Sequence, residues 1–157
     1  MKNRLKGVTL IETMLYIGIF SIIIVIIINF MLSTQEATRT NDIESSLQRS
    51  SSFISQHLNS SFKKVKSIDE VNSIFNNDQG RLSIVFSTGN KEYSLTNSKL
   101  MFDAEQITPN NLLIRVFNIT PIYKSPGSII GINISITIES KIDSSRSQTS
   151  NLLYLVQ

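Results

Sequence analysis

At 157 residues the chain is long enough for one compact domain with an anchor and too short for two full domains. It has no cysteine, which excludes a disulfide framework and any thiolate metal site. The formal net charge of +3 sits in Lys2, Arg4 and Lys6. Without them 12 Lys and Arg face 12 Asp and Glu, too even a balance for a nucleic-acid footprint.

In chain order, a short basic segment comes first, and Val8 to Leu32 follows as VTLIETMLYIGIFSIIIVIIINFML. These 25 residues carry one charged group, Glu12, and are Ile or Val at every position from Ile22 to Ile28. At roughly 1.5 Å per residue a helix of this length reaches about 37 Å, enough to cross a hydrocarbon core of about 30 Å with some tilt. Apolarity on all faces suits lipid or the interior of a helix bundle. Lys2, Arg4 and Lys6 stand before the run, whereas Glu36 and Arg39 after it roughly cancel. The positive-inside rule therefore places the N-terminus in the cytoplasm and sends residues 33 to 157 outward. A cleaved secretory signal has a shorter apolar region and a small-residue site after it, and no such site follows Leu32. An uncut signal anchor has the same length and flanks. Gly7 at the charge-to-apolar boundary and Glu12 inside the run distinguish the two readings.

The boundary Lys6-Gly7-Val8-Thr9-Leu10-Ile11-Glu12 resembles the class III signal of type IV prepilins and pseudopilins. The resemblance implies cleavage after Gly7 by a prepilin peptidase and methylation of the new amine on Val8. It maps Glu12 onto the family's acidic residue, which pairs with the N-terminal amine of a neighbouring subunit during filament assembly. The family most often has Phe where Val8 stands. Its implied partners are the peptidase, other pilin or pseudopilin subunits met through the N-terminal helix, an inner-membrane assembly platform and membrane lipid. It implies no cofactor and no enzymatic activity. The physical chemistry of these positions agrees. A glycine leaves its following peptide bond open to a protease, and a charged residue in a membrane helix is a functional candidate by default. A carboxylate in a water-poor helix core needs a partner, since an unpaired buried charge is costly. Thr13, Tyr16, Ser21 and Asn29 read as packing or interface positions. The segment lacks the helix-breaking proline that major pilins often carry there.

Beyond the membrane run, Ala37, Ile43, Leu47, Ile54, Leu58 and Val65 recur near the helical period, predicting an amphipathic helix over 33–66 with one apolar stripe. Serines between Ser45 and Ser61 weaken the helical signal locally. Ser67-Ile68-Asp69-Glu70 fits a capping box and predicts a short helix from Ile68 to about Phe75. Asn76 to Gly80 reads as a loop. Strands are then predicted at Leu82–Phe86, Glu92–Thr96 and Lys99–Phe102, with a tight turn at Thr88-Gly89-Asn90. Two longer strands follow at Leu112–Thr120 and Ile129–Glu139, with Pro121 and Pro126-Gly127 between them. Ile130, Ile132, Ile134, Ile136 and Ile138 share one face of the second. A last strand covers Leu152–Val156. The fold class is α+β: a long N-terminal helix packed on a C-terminal antiparallel sheet over 67–157. That order is also pilin-like, and Tyr93-Ser94-Leu95 followed by Lys99-Leu100 is similar to a strand-turn-strand of minor pilins.

Other chemistry finds little support. His57 is the one histidine and falls on the predicted helix, so it reads as a packing or surface residue. Six scattered glycines form no phosphate-cradling loop. Asp69, Glu70, Asp78, Asp103 and Glu105 read as solvated loop or cap residues, without the dense oxygen pattern of a calcium loop. The expectation is a structural subunit, a minor pilin or pseudopilin of a pilus or secretion filament, resident in the cell membrane and then in the filament. Two alternatives are an uncut single-pass protein with an exported binding domain, and a DNA-uptake pseudopilin touching DNA through Lys63, Lys64 and Lys66.

Overall fold

A computed structural model describes residues 9–124 and 127–156. The chain divides into two compact units, Met1–Asp42 and Ile43–Gln157. The first helix, α1 (Leu10–Phe62), contributes to both.

In the first unit, α1 is one helix long and apolar enough to cross a membrane. Its large side chains from Leu10 to Leu32 are all exposed within the chain. Several hydroxyls here are satisfied locally. Ser21 donates to the Ile17 carbonyl at 2.8 Å, Thr34 to Phe30 at 2.8 Å and Thr38 to Thr34 at 2.9 Å. Such back-bonding lets a polar residue sit in an apolar helix without an outside partner.

In the second unit, α1 buries Ile43, Leu47, Ile54 and Leu58 together with Ser50, Ser51 and Ser61. Ala37, counted in the predicted stripe, lies in the first unit and is exposed, and the helix ends at Phe62, before Val65. Three of the serines that weaken the helical signal, Ser50, Ser51 and Ser61, are part of the buried face. Ser51 Oγ meets Ser150 Oγ at 2.7 Å, so the small side chain permits close approach and carries its own hydrogen bond.

Among the described residues eight strands follow: β1 (Ser67–Ile74), β2 (Arg81–Phe86), β3 (Gly89–Thr96), β4 (Lys99–Phe102), β5 (Glu105–Gln106), β6 (Leu112–Lys124), β7 (Ser128–Ser140) and β8 (Ser147–Leu155). They form two antiparallel sheets instead of one, in the orders β1-β2-β3-β4-β5 and β6-β7-β8. The loop before β2 joins them along the free side of β6. Asn76 N–H donates to the Ile119 carbonyl at 2.9 Å, Gly80 N–H to Phe117 at 2.9 Å, and Phe117 N–H to Asp78 at 2.8 Å. The shared core holds Leu82, Ile84, Tyr93 and Leu100 from the first sheet and Phe117, Ile119, Ile132 and Ile134 from the second.

The segment predicted as a short helix is β1. Ser67, Ile68 and Asp69 pair with Val85, Ile84 and Ser83, and the register shifts before Ile74 meets Arg81. Eight residues are too few to stabilise an isolated helix, and the β-branched Ile68, Val71 and Ile74 favour an extended chain. The cap-like pattern has a mainly local expression, with one longer bond from the Asn90 side-chain amide to Asp69 at 3.4 Å. Asp69 accepts from the Asn72 backbone at 3.2 Å and from its side-chain amide at 2.7 Å, within the irregular stretch of the strand.

β6 runs through Pro121, which pairs with Ile132. Phe117 and Ile119 turn backbone groups away from β7, and Pro121 lies in the same phase two residues on. Its missing N–H therefore removes no bond to β7. On β7, Ile132, Ile134, Ile136 and Ile138 are buried, whereas Ile130 is exposed. β8 begins at Ser147, five residues before the predicted start.

Candidate functional site

Glu12 lies in the first turn of α1, where unsatisfied backbone N–H groups point toward the helix start. Its Oε2 accepts the Thr9 N–H at 2.8 Å and the Thr9 hydroxyl at 3.0 Å, and the Thr9 Oγ1 accepts the Glu12 N–H at 3.4 Å. This is a reciprocal capping box with Thr9 as N-cap and Glu12 three residues in. A carboxylate also complements the positive end of the helix dipole. One carboxylate oxygen is thus engaged within the chain, and Oε1 has no hydrogen-bond partner among the described residues. Thr9 is the site residue that the leader motif alone does not single out, although the T-x-x-E spacing that signals the box is visible in the sequence. Gly7 and Val8, and the basic Lys2, Arg4 and Lys6, lie outside the described residues.

A second polar cluster links α1 to the first sheet. Tyr93 is fully buried, and its hydroxyl meets His57 Nδ1 at 2.8 Å and Ser61 Oγ at 2.7 Å. The His57 ring lies edge-on to Tyr93 and Phe102, with centroids 5.7 and 4.9 Å away. Burial holds the His57 pKa below its ordinary value, against the raising effect of Glu105. Burial also pushes the Tyr93 phenol well above its ordinary range, against the Ser61 hydrogen bond. His57 and Ser61 share the tyrosine as a partner and do not bond to each other, so the group is a packed hydrogen-bonding node between helix and sheet.

Arg115 on β6 grips Glu139 on β7 through two nitrogens, Nε to Oε2 and Nη2 to Oε1, the latter at 3.0 Å. Hydrogen bonds from Arg115 hold the mostly buried Glu139 carboxyl below its ordinary range, and Glu139 in turn raises Arg115. Lys63, Lys64 and Lys66 are exposed just after α1. Among the described residues, no group of three or more His, Asp or Glu side chains is placed to hold a metal ion.

These features define an α+β chain whose N-terminal helix carries an apolar stretch long enough to span a membrane and whose C-terminal unit packs two antiparallel sheets on that helix. No family model, no curated protein and no solved structure matches it.

Proposed function

We propose that this chain is a structural subunit of a membrane-derived filament, a minor pilin or pseudopilin. On this reading it is made as a prepilin, cut after Gly7 and methylated on Val8. The observation that carries the reading is the single carboxylate of Glu12 near the start of the otherwise uncharged apolar stretch Val8 to Leu32, directly behind a basic, glycine-terminated leader. The Thr9–Glu12 box supports it by giving the carboxylate a local partner while the subunit is alone in the membrane. On assembly, the second carboxylate oxygen is the one to receive a neighbour's cationic amine, because leaving that charge unpaired in a helix core is unfavourable. The peptidase, the assembly platform and neighbouring subunits are its partners, and the sheets supply the surface that distinguishes this subunit from others. Glu12→Ala tests the pairing role: membrane insertion stays at wild-type level while incorporation into sheared filaments falls, roughly tenfold or more. Unchanged incorporation would count against it.

A further inference from the structure

β8 is a free edge with a groove beside it. Two flanking bonds fix its phase: Ser140 N–H donates to the Arg146 carbonyl at 3.0 Å, and Val156 N–H donates to the Ile130 carbonyl at 2.9 Å. The β7–β8 register runs from Glu139↔Ser147 to Gly131↔Leu155 without a shift. Bonded pairs alternate in an antiparallel ladder, so the even-numbered residues of β8 bond to β7. The odd-numbered ones, Asn151, Leu153 and Leu155 among them, turn their N–H and C=O outward. Among the described residues those outward groups have no backbone partner. Even-numbered side chains turn toward α1. Ser150 meets Ser51, the Tyr154 ring stacks on Phe62 with centroids 4.2 Å apart, and the Tyr154 hydroxyl donates to the Ser55 carbonyl at 3.4 Å. Tyr154 thereby divides the space between helix and edge into two clefts. One, of about 240 Å³, lies among Ser55, Gln56, Asn59 and Leu152. The other, of about 320 Å³, lies among Asn59, Phe62, Lys63, Val65 and Leu155. Lys63 is exposed and has no acidic partner among the described residues.

We propose that this groove binds an extended segment of another protein as an added antiparallel strand, one with a carboxylate side chain two residues before an apolar one. The edge, the clefts and the lysine select that occupant together. Outward N–H and C=O groups take a backbone in extended form, and side-chain pockets beside an edge choose which one. Guest residues opposite even-numbered positions of β8 project toward α1. Successive ones are about 6.8 Å apart, so alternate side chains reach the two clefts. The cleft beside Leu152 takes the apolar side chain, and Lys63 in the other takes the carboxylate through a charge-assisted hydrogen bond. An antiparallel guest starts at the Leu155 end, which puts its carboxylate first. A second β8 does not fit, because Ser147–Leu155 contains no Asp or Glu. Antiparallel pairing of two β8 strands would also turn their α1 helices in opposite directions, since Ser51 and Ser55 lie beside Ser150 and Tyr154 in the same order. The groove goes beyond the filament reading and stands whether or not the leader is cut.

The probe is the peptide Thr-Glu-Thr-Ile-Thr-Val-Thr, capped at both ends, fluorescently tagged and titrated by anisotropy against the full chain in detergent micelles. Its glutamate, isoleucine and valine face α1, and its threonines bond to β8. Saturable binding is expected below about 1 mM, with amide exchange slowed at Leu153 and Leu155. N-methylating the threonines on either side of the isoleucine should abolish binding, because those N–H groups face the edge. N-methylating the glutamate and isoleucine should keep it. Lys63→Glu should weaken the peptide roughly fivefold, and a peptide with lysine in place of its glutamate should recover that loss on the variant. No saturable binding by about 1 mM, or binding indifferent to which residues are N-methylated, overturns the proposal. So does a lysine-bearing peptide that binds the wild-type chain as tightly as the original. A chain already dimeric through this edge, split to monomer by the peptide in native mass spectra, would make a second copy the occupant and overturn it too.

Discussion

Tyr93 shows how one hydroxyl ties the helix to the first sheet. It is fully buried and bonded to both His57 and Ser61. Tyr93→Phe keeps the ring but strands two polar partners, and should lower stability by about 1–3 kcal/mol, read as an earlier urea midpoint of the full chain in detergent. His57 adds a pH dependence whose sign follows from its environment. Its pKa is lowered by burial, so the folded chain binds fewer protons than the unfolded one just below the ordinary histidine value. The His57 contribution to stability is therefore complete above about pH 6.5, declines as pH falls from there through the lowered folded value, and then levels off. Melting temperatures between pH 8 and pH 5 check this, and His57→Gln should remove that part of the slope. Both roles are hidden in the sequence, because a lone histidine and a tyrosine 36 positions apart give no sign of meeting. Thr9 is legible by contrast, since the three-residue spacing to Glu12 is itself the signature of a cap.

Elements with a periodic signal are the readable ones. The alternation Ile132, Ile134, Ile136, Ile138 marks a buried strand face, and Ile43, Leu47, Ile54 and Leu58 mark the buried stripe of the helix. β1 reads as a helix in the sequence because Ser67 to Glu70 satisfies a helix-start pattern locally, while its pairing with β2 is decided by residues farther along the chain, as far as Val85 for Ser67. The division into two sheets is unreadable for a similar reason. It depends on the loop 76–80 lying along β6, and Gly80 makes that possible. A Cβ at position 80 would come within 2.6 Å of the Phe117 carbonyl oxygen, a backbone atom that cannot swing aside. Gly80→Ala should therefore detach this loop from β6. The expected result is faster amide exchange at Asn76 and Phe117, with the β7–β8 ladder protected as before.

At the scale of the whole molecule, charge and apolarity are sorted along the chain. The excess positive charge precedes the apolar stretch, the lone carboxylate stands near its start, and the part that follows is close to neutral. That order fits the proposed filament subunit, in which a cut after Gly7 would discard the leader and keep the helix. An uncut anchored protein would share the helix and the sheets but retain the leader. The deciding measurement is the N-terminal mass of the protein purified from the membranes of cells that make it. For a filament subunit, the chain begins at Val8 with a methylated amine and lacks Met1 to Gly7. A chain that still carries the leader through Gly7 contradicts that assignment.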